Sequence, residues 1–123
     1  GIKAGTQKVK HTVQLNKDKT IMFWHWDSDK IDCFGAQSYD AATGYIRTSY
    51  HASTGNQING KLISYWRKKF VWERSGNTVN GALYEKCLLD ASEPGVLKHK
   101  VYDRVLNGVA QPEEPTIVLK KVD

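Results

Sequence analysis

The segment IMFWHWDSDKIDCF, residues 21–34, sets Trp24, His25 and Trp26 directly ahead of three aspartates, Asp27, Asp29 and Asp32. Oxygen ligands at alternate positions are what a hard cation needs. In DSDKIDCFGAQS, however, Asp32 stands where a calcium loop requires glycine at its sixth position, and Ser38 stands where a bidentate glutamate belongs at its twelfth. An EF-hand is excluded, and the aspartates read as an Asx-type hairpin turn. No metal and no cofactor is expected. The tryptophans admit another chemistry, because an indole is flat enough to stack on the apolar face of a sugar ring while nearby polar side chains bind its hydroxyls. Alternation along a strand places Met22, Trp24 and Trp26 on one face and Phe23, His25 and Asp27 on the other. Burial decides whether the indoles form a platform or a core.

A second segment, YWRKKFVWER (residues 65–74), interleaves cations with aromatics. Read as one strand, it sets Trp66, Lys68, Phe70, Trp72 and Arg74 on one face and Arg67, Lys69, Val71 and Glu73 on the other. Such a face could neutralise phosphates and stack bases, so Arg67, Lys68, Lys69 and Arg74 are candidates for contact with a polyanion or a partner. The bland alternative is a core strand with lysine stems lying along its rim. The loop GNQINGKL, residues 55–62, has the spacing of a phosphate-binding loop but places Leu62 where Ser or Thr would hold magnesium, so it reads as an ordinary glycine-bearing loop. The four histidines, His11, His25, His51 and His99, fall in no ordered catalytic signature. His51 or His99 with Glu73 and an arginine could cleave RNA by general acid and base catalysis, but only if the fold gathers them. No catalytic residue is assigned, and the enzyme question leans toward no.

The elements that must position these groups are strands. Segments rich in Val, Ile, Thr and aromatics recur between Gly, Asn, Asp and Ser clusters, which predicts strands over 8–15, 20–27, 31–38, 45–51, 62–74, 79–89, 96–106 and 116–122. Turns are expected at 16–19, 27–30, 41–44, 53–60, 75–77, 92–95 and 107–115. Leu97, Val101 and Val105 also fit one face of a short helix near 96–106, and the β-branched residues favour the strand. The fold class is therefore all-β: an antiparallel β-sandwich, jelly-roll-like, of about eight strands in a single domain over 1–123.

Composition sets the remaining limits. The chain has 123 residues, 40% hydrophobic and 25% charged, which suits one folded domain. Its longest uncharged apolar run is Ile21 to Trp24, so no membrane span is expected. The N-terminal GIKAGTQKVK shows no apolar leader. A net charge of +5 favours polyanion contact in general, including nucleic acid, acidic glycan and anionic membrane. Cys33 and Cys87 lie in no metal-binding spacing and are candidates for one disulfide; free thiols would point to the cytoplasm instead. Four tryptophans and six tyrosines exceed what so small a core needs. The first expectation is accordingly a small secreted, non-catalytic binding domain for carbohydrate, with Trp24, Trp26, Tyr45, Tyr50, Trp66 and Trp72 as ligand-binding candidates. The second is a pathogen-secreted effector or toxin-like protein that binds a host protein. The third is a basic RNA-binding protein or ribonuclease.

Overall fold

The computed structural model describes residues 8–121, so residues 1–7 of the N-terminal segment and position 122 of the last expected strand lie outside the described residues. Ten strands form one antiparallel sheet: β1 (Val9–Leu15), β2 (Ile21–Ser28), β3 (Asp32–Tyr39), β4 (Ile46–Ala52), β5 (Gln57–Trp66), β6 (Lys69–Thr78), β7 (Gly81–Asp90), β8 (Val96–Leu106), β9 (Val109–Ala110) and β10 (Ile117–Lys120). The all-β, antiparallel class follows the alternation in the sequence. Each strand from β1 to β8 pairs with the next, giving an up-and-down meander. The long β8 then takes two partners, β10 along Val96–His99 and β9 at Val105 and Leu106. The sheet is open, with β1 and β10 at its edges.

Register decides which side chains share a face. In one row across the sheet, Val13 faces Trp24, then Gly35, Tyr50, Ile58, Gly76, Leu83 and Leu106. The eight buried residues among those described, Cys33, Gly35, Ile58, Gly60, Trp72, Leu83, Glu85 and Cys87, all lie on this core face. Two glycines let neighbouring groups close over it. A Cβ on Gly35 would lie 2.5 Å from Cζ2 of Trp24, whose ring crosses that position to stack on Tyr50 at 5.7 Å and 24°. A Cβ on Gly60 would lie 2.9 Å from Cγ of Arg74. Bulges interrupt the ladders between Leu62 and Ser64 on β5 and opposite Glu85, where Asp103 takes a φ of 51°.

Several expectations are corrected. Residues 62–74 do not form one strand: the chain reverses at Arg67 and Lys68, so Trp66 pairs with Lys69 and both side chains lie on the outer face, while Trp72 and Arg74 lie on the core face. The expected turn at 53–60 becomes strand from Gln57, and the expected turn at 75–77 lies inside β6, with the reversal at Val79 and Asn80. No helix occurs at 96–106, which is β8 throughout, because Leu97 and Val101 pair with Leu119 and Cys87 in two ladders. Cys33 and Cys87 are free thiols and form no disulfide. They sit on β3 and β7, four ladders apart, or about 19 Å along the sheet at about 4.8 Å per ladder. A disulfide tolerates only about 7 Å between Cα atoms.

Candidate functional site

The outer face, opposite the core, carries the most ligand-like ground. Over β1 to β3 it forms a depression of about 390 Å³ lined by Thr12, Gln14, Phe23, His25 and Phe34, and reached by Val13, Trp24 and Gly35 of the intervening core-face row. Strand pairing builds this group directly, because Thr12 faces His25, His25 faces Phe34, and Phe34 faces His51, which faces Gln57. Phe34 is 59% exposed and Phe23 47% exposed, although both are large apolar rings. The Phe34 ring stacks on the His51 ring at 5.2 Å and 28°. Both imidazoles are held by neighbours: His25 Nε2 bonds Asp32 Oδ1 at 2.5 Å, and His51 Nδ1 bonds Gln57 Oε1. Each ring is therefore fixed in orientation, with its other nitrogen turned away from that bond.

Around these rings the same face is rich in uncharged donors and acceptors. Gln57 pairs with Asn77 in the row of Phe34, and Ser49, Asn59 and Ser75 form the adjoining row. Gln57, Asn59, Ser75 and Asn77 are exposed. Flat exposed rings beside amides and hydroxyls can hold a ring that has one apolar face and a rim of hydroxyls. Among the described residues no three His, Cys, Asp or Glu side chains converge as metal ligands.

The residues singled out by sequence fall in separate places. Trp24 and Trp26 lie half-buried on the core face, Trp24 against Tyr50 and Trp26 against His11 at 5.6 Å. Tyr50 is half-buried there too; burial, with the neighbouring Cys33 thiol, pushes its hydroxyl up to about 12. Tyr45 is exposed beside β4, with the Lys61 ammonium 4.6 Å above its ring. Trp72 is 5% exposed and Trp66 is 67% exposed, so the two are not one surface. Arg67, Lys68 and Lys69 stand at the β5–β6 turn, but Arg74 is on the core face, where its Nη2 donates to Oε2 of buried Glu85 at 2.9 Å. Burial raises both thiols, that of Cys87 to about 11.

Of the groups weighed for RNA cleavage, His51 and Glu73 share the outer face but stand four residues apart along β5, in register with Gln57 and Lys61. His51 is on the outer face, while His99, in register with Leu89, is on the core face, where desolvation lowers it to about 4. Glu73 is on the outer face, accepting a hydrogen bond from the Tyr84 hydroxyl at 2.9 Å. What sequence reasoning missed is Phe34 and its neighbours. The available signal was that Phe23 and His25 alternate with the tryptophans, so sending the indoles to the core sends these two outward. No protein-family model, curated protein or solved structure matches the chain.

Proposed function

We propose that this chain is a non-catalytic carbohydrate-binding domain whose site is the outer face of β1 to β5 rather than its tryptophans. The observation that supports this is the pair of exposed phenyl rings, Phe23 and Phe34, in a depression of about 390 Å³ bordered by fixed imidazoles and uncharged amides. Sites for small ligands have volumes of roughly 300 to 1,000 Å³, so one or two sugar units match the space. Phe34 stacks on the apolar face of the sugar; His25, His51, Gln57, Thr12 and Gln14 bind its hydroxyls. Because the border is mostly uncharged, the favoured ligand is a neutral sugar. The two unpaired thiols favour a reducing compartment over the secreted one expected from the sequence.

A glycan array probed with the 123-residue chain tests this reading. Hits among neutral glycans are expected, and Phe34→Ala should weaken them by tenfold or more while leaving the circular dichroism spectrum unchanged, since the removed ring is mostly exposed. An array without hits, or hits that survive Phe34→Ala, overturns it.

A further inference from the structure

The β5–β6 turn is built from residues that suit it poorly. Its two central residues, Arg67 and Lys68, have φ of 49° and 62°, the left-handed pattern of a type I′ turn. That turn favours Asn and Gly, and at the β8–β9 hairpin this chain places Asn107 and Gly108 there, with φ of 50° and 79°. Side chains with a Cβ are strained in this region, and such strain gathers at functional positions. Here it displays three consecutive cations, Arg67, Lys68 and Lys69, none of which has a carboxylate within ion-pair distance among the described residues.

Aromatic rings flank them. Trp66 is 67% exposed and Tyr65 is 60% exposed, and the Arg67 guanidinium lies 5.4 Å from the Trp66 ring. Tyr65 pairs with Phe70 on the core face while Trp66 pairs with Lys69 on the outer face, so the two rings lie on opposite sides of the ribbon. The tip is open on its β4 side, because the β4 ladder with β5 ends at the Arg47–Lys61 pair and leaves Leu62–Trp66 beyond it, while on the other side Lys69 faces Asp90 and the Ala91 amide donates to the Lys68 carbonyl at 2.9 Å.

We propose that this hairpin tip docks on the surface of an anionic phospholipid bilayer, with Trp66 and Tyr65 entering the interface and Arg67, Lys68 and Lys69 meeting the headgroups. Aromatic rings with a polar edge favour that interface, and each nearby Lys or Arg adds to the attraction of an anionic leaflet. The geometry favours a flat bilayer over a nucleic-acid strand on two counts. Rings on opposite sides of a ribbon cannot stack successive bases as one platform. Among the described residues no unpaired cationic track leads away from the tip along the outer face, because Lys61 pairs with Glu73 at 3.9 Å, Lys86 with Asp103 at 3.7 Å, Lys98 with Glu93 at 4.0 Å and Lys100 with Glu113 at 3.6 Å.

The test uses vesicles of phosphatidylcholine with about a third phosphatidylserine, and of phosphatidylcholine alone, at low ionic strength. Binding to the anionic vesicles only is expected, with a blue shift of tryptophan emission that Trp66→Phe abolishes. The variant Arg67→Asn/Lys68→Gly keeps the fold testable, since its residues suit the turn. It should raise Tm by about 4 °C and weaken vesicle binding by about 25-fold, about fivefold for each cation removed. Four results overturn the proposal: no binding to anionic vesicles, equal binding to neutral ones, unchanged binding by the double variant, or binding of single-stranded oligonucleotide through these residues without vesicle binding. A lower Tm for the double variant overturns the strain argument that motivates it.

Discussion

At Gly35 a methyl group has no room, because the Trp24 ring lies 2.5 Å from where the Cβ would stand and the carbonyl oxygen of Ser49 is also in contact. The obstruction on one side is backbone, so relaxing one flexible side chain does not remove it. Gly35→Ala should therefore cost about 1 to 3 kcal/mol, the usual range for overpacking a core, and should disturb the Trp24–Tyr50 stack. A urea titration followed by tryptophan fluorescence measures both effects. A midpoint equal to that of the unaltered protein would show that the sheet yields there. Nothing in the sequence marked Gly35 as the residue over which an indole passes. Alternation assigned Trp24 to a face, but the cross-strand partner that needs the space comes from register.

Among the elements, β6 (Lys69–Thr78) carries the main electrostatic commitment of the core. It brings Trp72 and Arg74 to the core face, and Arg74 is the only hydrogen-bond partner of the Glu85 side chain among the described residues. Glu85 is 5% exposed, so removing its partner strands a carboxylate out of water. Arg74→Met should destabilise by about 3 to 5 kcal/mol, whereas Arg74→Met/Glu85→Leu should recover most of that loss, since two apolar groups carry no desolvation penalty. Chemical denaturation of the two variants decides the point, and equal losses in both would contradict it. The sequence read 62–74 as one long strand because Arg67 and Lys68 carry none of the usual turn chemistry. With the reversal unseen, every side chain after it was assigned relative to the wrong neighbour: Trp66 and Trp72, drawn on one face, lie on opposite ones.

At the scale of the molecule, only eight of the described residues are buried, and they form a thin core along one face of an open sheet. Stability so narrowly founded should respond to any change in the charge of that face. His99 supplies one, lowered from 6.5 to about 4 chiefly by desolvation and then by Arg74, with Glu114 acting the other way. Its folded pKa lies below its unfolded value, so as pH falls from 6.5 toward 4 the unfolded chain takes up the proton first. Stability then declines across that window. The full effect is on the order of 3 kcal/mol, at about 1.4 kcal/mol per pH unit. Thermal unfolding of the wild type should show Tm falling from neutral pH toward pH 4, and His99→Gln should flatten that decline. An unchanged slope in His99→Gln would assign the acid sensitivity to other groups.

Local patterning along the chain specified the class and most of the strands. Period-two alternation between turn residues specifies half-buried strands locally, and this is why β1 to β4, β7 and β8 stand within two residues of where the pattern puts them. It also separated Trp24 and Trp26 from Phe23 and His25, because successive side chains must point to opposite faces. Tertiary structure alone decided which face became the core, where β5 turns into β6, and that Cys33 and Cys87 stand four ladders apart. Each depends on pairing between residues distant in sequence. Alternation records that two faces exist, but only cross-strand register and burial choose the one that meets water.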